Sequence, residues 1–430
     1  MKRNKAVRRN KGGLSVAVVL FALCSLATPV GTLGQTTYHF ADLGTLGGNN
    51  SIPVCITNSG DVIGYSDTGK VDGSGNPIQH AFVWSRGEQC DVSNQPCDEA
   101  RGMMHDLGTL GGNNSFAFGS NDEGQVVGYS DVPGGATSHA TLWYKGTITD
   151  LGTFSGPDGF SFAQLINRKH EIVGASTTSD SSFHGFRWDD GVMTDLGTLG
   201  GPNSFGNGIN DRGQIVGGAT VSDIANPILG FPPYYGTLWD DDEIVNLTGE
   251  TSAAAFNINN RTQVVGRLLV PDPKEGGVAH AFLWQEGVLT DLGVPGGDDN
   301  SEATSLNDNG QIVGDAGVGF IESYTQDRAL LWQNGVRYDL NTLIPDNTGY
   351  HLIAAAAVNA SGEIVVSAVR LGTENTHAAL LTPLREDIGN HVESLEPEAS
   401  MEPPFLSPHA QHMLDHARRM KSGRRPEPNN

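Results

Sequence analysis

Residues 42–48 read DLGTLGG, and the same seven letters return at 106–112 and 195–201. Variants continue the series as DLGTFSG from residue 150, NLTGETS from 246, DLGVPGG from 291 and DLNTLIP from 339. Successive copies start 64, 44, 45, 51, 45 and 48 residues apart. A period of about 40 to 50 residues is typical of β-propeller blades and of some helical arrays. The repeat therefore indicates one of these two architectures, and the local sequence patterns distinguish β-propeller blades from helical arrays.

Each repeat contains four short runs bounded by turn residues. The first resembles SFGNGIN (204–210), the second QVVGYS (125–130), the third HAFLW (280–284) and the fourth GVLTDLG (287–293). Gly recurs every few residues, and no apolar stripe has the 3.6-residue period of a helix. Short Val- and Ile-rich runs between Asn-, Asp- and Gly-containing turns predict strands. We therefore expect an all-β chain of four-stranded units.

The two ends of the repeat region predict how the units assemble. Residues 38–44 (YHFADLG) match a fourth strand with nothing before them that supplies the first three. The last repeat offers strands at 352–359, 363–368 and 377–383, and then stops without a fourth. If the N-terminal strand fills that vacancy, the exposed ends of the array disappear. The sequence thus predicts a single seven-bladed β-propeller of four-stranded blades, closed by the N-terminal strand.

The aromatic residue that ends the third run recurs once per repeat, and all six tryptophans of the chain occupy it. A large apolar side chain at this position suits packing between neighbouring sheets better than a ligand platform. Leu381 takes the seventh position. The structural tryptophans are Trp84, Trp143, Trp188, Trp239, Trp284 and Trp332.

Histidine and aspartate recur at two further positions. The third run starts with His80, His139, His184, His280 and His377. The fourth run ends with Asp42, Asp106, Asp150, Asp195, Asp291 and Asp339. A catalytic site needs one asymmetric cluster rather than the same pair in nearly every unit. We therefore expect a hydrogen bond between each His and Asp that locks its blade, since buried polar groups need partners.

The combination of DLGTLGG, GQ[IV]VG and HAF[LV]W at regular spacing over residues 38–383 resembles the HAF-repeat family of extracellular proteins. The resemblance implies export and a repeat architecture, and it brings no catalytic residues with it. Two repeats depart from the pattern, because Tyr235 and Arg328 stand where His is expected. Asn246 also replaces one Asp.

The first 34 residues have the composition of a leader. Six basic residues precede or flank a 14-residue apolar run at 14–27, which suits a signal peptide and is too short for a membrane span. Removing residues 1–34, with six basic and no acidic side chains, takes the formal net charge from -23 to -29. Such an acidic chain disfavours nucleic acid. We expect a protein that is secreted or held outside the cell envelope, with the propeller at 35–383, a mostly disordered tail at 384–430, and a monomeric state.

Cysteines and acidic turns give no metal or cofactor. Cys90 and Cys97 share one loop, and in an oxidising compartment we expect them to form a disulfide. Cys55 lies in an apolar run and is expected to be a buried free thiol. Turns such as NDNGQ (307–311) hold too few acidic oxygens for calcium and suit tight turns instead.

Function is expected where the repeats differ. The loops between second and third runs vary most in length, and variable loops on a rigid scaffold usually carry function. With the mouth of the central channel they form the predicted binding face, where Phe231, Tyr234 and Tyr235 could stack on a sugar or peptide. The sequence favours a binding or structural-interaction module for an unknown extracellular glycan or protein. A secreted glycoside hydrolase or lyase remains the alternative, because two suitably spaced carboxylates would suffice.

Overall fold

The fold is seen in a computed structural model of the chain, which describes residues 36–86, 102–135, 137–225, 232–241, 243–270, 278–318 and 327–384. Within these ranges, 28 strands form seven antiparallel sheets of four strands each. Sequential strands are neighbours in every sheet except the last, and the sheets follow one another as blades of a seven-bladed β-propeller. The predicted fold class is confirmed.

The blades are numbered in chain order. The first strand, β1 (Tyr38–Asp42), belongs to the last blade. Blade 1 contains β2 (Ser51–Ile56), β3 (Val62–Val71), β4 (Pro77–Ser85) and β5 (Met103–Asp106). Blade 2 contains β6 (Ser115–Ser120), β7 (Val126–Asp131), β8 (Ser138–Tyr144) and β9 (Thr147–Asp150). Blade 3 contains β10 (Ser161–Ile166), β11 (Ile172–Thr177), β12 (Phe183–Asp189) and β13 (Val192–Asp195). Blade 4 contains β14 (Ser204–Ile209), β15 (Ile215–Thr220), β16 (Tyr234–Asp240) and β17 (Glu243–Asn246).

The remaining blades include the closing one. Blade 5 contains β18 (Ala253–Ile258), β19 (Val264–Val270), β20 (Val278–Gln285) and β21 (Val288–Gly293). Blade 6 contains β22 (Asn300–Leu306), β23 (Ile312–Gly317), β24 (Arg328–Gln333) and β25 (Val336–Asp339), followed by a 3-10 helix (Leu340–Leu343). Blade 7 contains β26 (Tyr350–Val358), β27 (Ile364–Arg370), β28 (Thr376–Pro383) and the N-terminal β1 (Tyr38–Asp42).

The ring closes through the N-terminal strand, as predicted. β1 pairs with β28 in a register that sets Tyr38 opposite Pro383 and Asp42 opposite Ala379. Tyr38 is fully buried among the apolar side chains of blades 6 and 7. Closure therefore joins the two ends of the propeller through both backbone hydrogen bonds and core packing.

Most tryptophans lie between neighbouring blades, as their repeated position in the sequence predicts. Trp143, for example, is 3% exposed and packs with Ile63 and Ala81 of the preceding blade. Trp188 and Trp284 are only partly buried, yet they also contact apolar clusters. Leu381, at the seventh position, is completely buried. The buried apolar side chains thus form a core distributed around the ring.

A β-bulge interrupts the innermost strand of every blade. In blade 2, Ala117 pairs with Gly128 and Gly119 pairs with Val127, which leaves Phe118 without a partner in the ladder. A Cβ atom on Gly128 would lie 1.9 Å from the carbonyl oxygen of Phe116, so only glycine fits there. The glycine of the recurring VG pair in the second strand therefore permits the bulge.

The turns between first and second strands link neighbouring blades. In six of them an Asn side chain donates through Nδ2 to the carbonyl of the equivalent residue in the next blade, at 2.9–3.3 Å. The same Asn accepts, through Oδ1, from backbone N–H groups of its own turn. These residues are Asn121, Asn167, Asn210, Asn259, Asn307 and Asn359. Thr57 holds the seventh position, so the described ring of turns has six such links.

Candidate functional site

The recurring His and Asp residues meet within each blade that has both. The distance between Nδ1 of His139 and the Asp150 carboxylate is 2.8 Å, and the Nε2 atom of His139 lies 3.1 Å from the carbonyl of Pro157. The other four pairs have their shortest contacts at 2.7–2.9 Å, and the one between His377 and Asp42 connects β28 to β1. The five histidine side chains are between 6% and 25% exposed, and no shared cleft brings them together.

Each of these aspartates also shapes the turn that follows it. Asp150 Oδ1 accepts a hydrogen bond from the backbone N–H of Gly152 at 2.8 Å, and Asp106 does the same for Gly108. Where the sequence departs from the pattern, the contacts differ. Asn246 bonds within its own loop, through the N–H of Thr248 and the carbonyl of Gly249.

Blade 6 replaces the His with a cation. The guanidinium of Arg328 donates to Asp298 at 3.1 Å and lies 3.9 Å from Asp339. Burial raises the pKa of Asp298, and its second carboxylate oxygen has no hydrogen-bond partner among the described residues. Each His–Asp pair thus belongs to its own blade and joins a mostly buried His to a carboxylate that is 32–46% exposed. The repeated residues do not converge on one site.

The non-repeating side chains meet in the central channel. The bulge turns one residue per blade toward the axis, and these seven residues all line a cavity of about 730 Å³. Four of them are apolar and three are polar, and the two types follow no regular order around the ring. The ring consists of Val54, Phe118, Gln164, Asn207, Phe256, Thr304 and Ala356.

One side of the channel mouth is aromatic. Seven half-buried rings form a continuous arc over blades 1 to 4. The arc lies on the face of the propeller that carries the loops between the second and third strands. Consecutive ring centroids are 4.8–6.1 Å apart. We call this arc the aromatic crescent, and its members are Tyr65, Phe116, Tyr129, Phe160, Phe183, Phe205 and Tyr234. Phe118 connects it to the channel, since its centroid is 5.5 Å from that of Tyr129.

The three aromatic residues predicted for binding have different positions. Tyr234 is the last ring of the crescent, 5.5 Å from Phe205. Tyr235 follows it in β16 and is also partly exposed, but it occupies the histidine position of the repeat. Phe231 lies outside the described residues. The crescent gives no periodic signal in the sequence because its members come from four different repeat positions.

The opposite side of the channel mouth is charged. In blade 6, Glu302 and Asp315 are opposite each other in the ladder of β22 and β23, and both line the cavity. Their counterparts in blade 2 are Phe116 and Tyr129. Arg267, from blade 5, donates to Glu302 at 3.1 Å, while no ion pair of Asp315 occurs among the described residues.

The environment of Asp315 favours its protonated form. Burial raises the pKa of Asp315 well above its usual range, and the negative charges of Glu302 and Asp327 add to this effect. Arg267 opposes it. Asp327 precedes β24, and its own pKa is raised by burial and by neighbouring carboxylates. The mouth of the channel is therefore two-sided, with rings on blades 1 to 4 and carboxylates on blade 6.

The predictions for the cysteines and for the first long loop can be compared with the structure in part. Cys55 lines the channel as a free, half-buried thiol, 3.6 Å from the hydroxyl of Ser120. Cys90 and Cys97 lie outside the described residues, so their disulfide stays a prediction. The first long loop, at 67–79, is shorter than predicted, because β3 and β4 extend into it and meet at a turn stabilised by Asp72.

The seven four-stranded antiparallel sheets define this chain as a β-propeller protein. It is similar to the β-propeller domain of the Trilobed protease from Pyrococcus furiosus, with 10% identity, a TM-score of 0.49, and coverage of 77% of this chain and 93% of that one. A second similar structure is acylaminoacyl peptidase from Pyrococcus horikoshii, with 11% identity, a TM-score of 0.47 and coverage of 82% and 52%. A third is YCF48 bound to D1 peptide, with 11% identity, a TM-score of 0.43 and coverage of 84% and 100%.

No protein-family model matches the chain, and no curated protein matches its sequence. Among the residues that the structure describes, no helix is long and apolar enough to cross a membrane.

Proposed function

We propose that this protein is an exported binding module that holds an extracellular ligand at the two-sided mouth of its central channel. The leader-like residues 1–34 and the resemblance to extracellular HAF-repeat proteins support export. The aromatic crescent is the observation that carries the binding role. A run of half-buried rings offers a large apolar surface at low entropic cost, which suits ligand recognition.

The position of the crescent separates it from the core. Its rings remain partly exposed, whereas aromatic residues at repeated core positions, such as Phe82 and Phe186, are completely buried. The crescent also covers only blades 1 to 4, so it gives the ring the asymmetry that a specific site requires.

The test is a screen of the mature chain on glycan and peptide arrays, followed by titration of any ligand found. We expect Phe205→Ala to weaken binding by about tenfold or more, because it removes the ring that contacts both Phe183 and Tyr234. Ile244→Ala is the control, since Ile244 is exposed on the outermost strand of the same blade. Equal affinity of the two variants, with both folded, would reject the crescent as the site.

The carboxylates of blade 6 favour a second candidate, a carbohydrate-active enzyme. A carboxyl group with a raised pKa beside a second carboxyl group is the pairing that general acid catalysis of glycoside cleavage uses. In that case Asp315 would donate the proton and Glu302 would act as its partner. Product formation from an array-selected glycan, abolished by Asp315→Asn while binding persists, would establish the enzyme. If no bound glycan gives any product, the enzyme is rejected and the binding module is retained.

A further inference from the structure

The channel mouth has a charge imbalance that a ligand could correct. Glu302 has Arg267 as its cation, whereas Asp315 and Asp327 have no ion pair among the described residues. The guanidinium of Arg267 is held on one side by Glu302 and lies over the ring of Phe256, 5.6 Å from its centroid. One cation thus serves three carboxyl groups, and the mature chain adds a strongly negative surrounding field.

The apolar side of the same mouth lies across the channel. The innermost strands of blades 2, 3 and 4 contribute Phe116, Phe162 and Phe205 at the ladder position where blade 6 has Glu302. Blade 7 has Ala354 opposite Ser367 near this level, and both small side chains line the cavity. A ligand at this level therefore has rings on the side of blades 2 to 4 and carboxylates on blade 6. Both carboxylates line the cavity, and of the rings on blades 2 to 4 only Phe118 does.

We propose, on the basis of the binding function above, that the ligand is a protein segment in which a lysine or arginine is flanked by aromatic or proline side chains. Its basic group occupies the carboxylate side, beside Asp315 and Glu302, and its apolar side chains stack on the aromatic crescent. Charge complementarity selects this occupant, because a basic group supplies Asp315 and Asp327 with a cation that a neutral glycan does not offer.

The cavity has the size of a side-chain site. Its volume of about 730 Å³ lies within the roughly 300–1,000 Å³ typical of small-molecule pockets, and it is lined by both carboxylates. Because burial raises the pKa of Asp315, an entering cation favours the ionised form of this carboxyl group. Binding should therefore strengthen as pH rises through the raised pKa of Asp315. The charged groups that act on Asp315 are Glu302 on β22, Asp327 before β24 and Arg267 on β19. Asp327 in turn feels Asp298 and His351 on β26.

The experiment uses the mature chain and end-blocked octapeptides built from phenylalanine, proline and one lysine. A matched peptide carries acetyl-lysine, which has nearly the same shape and no charge. We expect the lysine peptide to bind about tenfold tighter at neutral pH, a difference of roughly 1.4 kcal/mol. Asp315→Asn combined with Glu302→Gln should remove that preference. Asp190→Asn, at an exposed turn of blade 3, is the matched control and should keep it.

The outcomes separate this inference from the proposed function. If Phe205→Ala weakens both peptides while the lysine charge has no effect, the crescent binds and the basic ligand is wrong. If a neutral oligosaccharide binds through the same residues more tightly than either peptide, the protein-segment class is overturned. If no array ligand or peptide responds to Phe205→Ala, the site itself fails.

Discussion

At the scale of single residues, the histidines illustrate why repetition argues against chemistry. Each one bonds its own Asp, and that Asp also caps the following turn, so one contact fixes both the third and fourth strands. His139 is the most enclosed example, at 6% side-chain exposure, with partners on both ring nitrogens. Loss of this side chain removes the link between the third and fourth strands and leaves the carbonyl of Pro157 without its histidine partner.

His139→Ala should lower the free energy of unfolding by about 1–3 kcal/mol, because two hydrogen bonds and buried contacts are lost. Equilibrium urea denaturation measures this change. His105→Ala is the matched control: His105 is exposed on the outer strand β5, and the expected change is within about 0.5 kcal/mol. Equal losses for the two variants would contradict a blade-locking role.

Asp315 gives a stability prediction whose sign depends on pH. Its folded-state pKa is raised, so its stabilising contribution is complete below the ordinary carboxyl pKa and is lost as pH rises through the folded value. Asp315→Asn should therefore make the folded protein more stable than the wild type at neutral pH, with a difference that shrinks in acid. Urea denaturation between about pH 4 and pH 8 tests this. A variant less stable than the wild type at neutral pH would refute the buried, proton-holding state.

At the scale of strands, the bulge in the first strand depends on the glycine of the second strand. The carbonyl of Phe116 occupies the space where a Cβ atom on Gly128 would stand, and five other blades repeat this contact at 1.8–2.0 Å. Blade 7 has Val366 instead, and its inner strand β26 shows two register shifts rather than one. The bulge in turn directs one residue per blade into the channel.

Gly128→Ala should destabilise the protein by about 1–3 kcal/mol through overpacking against the inner strand. Gly73→Ala is the control, because a Cβ atom there meets nothing within 4 Å. Thermal denaturation of the two variants gives the comparison. A Gly128→Ala protein as stable as the control would mean that the bulge does not require glycine.

The strand pattern and its limits explain how much the sequence could predict. Blade count, strand order and the closing strand follow from repetition, because a repeated pattern reports its own period and phase. The channel residues do not repeat, and the bulge displaces them from strict alternation, so Phe118 and Glu302 carry no periodic signal. The pairing of Glu302 with Asp315 needs the register of two strands, which the sequence alone leaves open.

At the scale of the whole molecule, the ring depends on a strand from the other end of the chain. β1 supplies Tyr38 to the core of blade 7. It also supplies Asp42, whose carboxylate bonds to His377 and accepts a hydrogen bond of 2.6 Å from the hydroxyl of Tyr350. Without β1, β28 becomes an open edge, and the contact between blades 7 and 1 loses Leu43.

A chain that begins at residue 44 should therefore lose at least about 3–5 kcal/mol of stability, the cost of removing one large buried aromatic side chain. A chain that begins at residue 36 serves as the control and should unfold like the mature protein. Addition of a peptide of residues 36–43 should partly restore the thermal transition of the shortened chain. Identical transitions for both chains would disprove closure by β1.

In this protein, the residues that repeat hold the blades together, and the residues that do not repeat form the proposed binding site. Measuring unfolding free energy and ligand affinity in parallel on His139→Ala and Phe205→Ala tests this division most directly. We expect His139→Ala to lose stability and keep its affinity, and Phe205→Ala to lose about tenfold or more in affinity at a smaller cost in stability. Loss of affinity in the folded His139→Ala protein, with full affinity in Phe205→Ala, would contradict it.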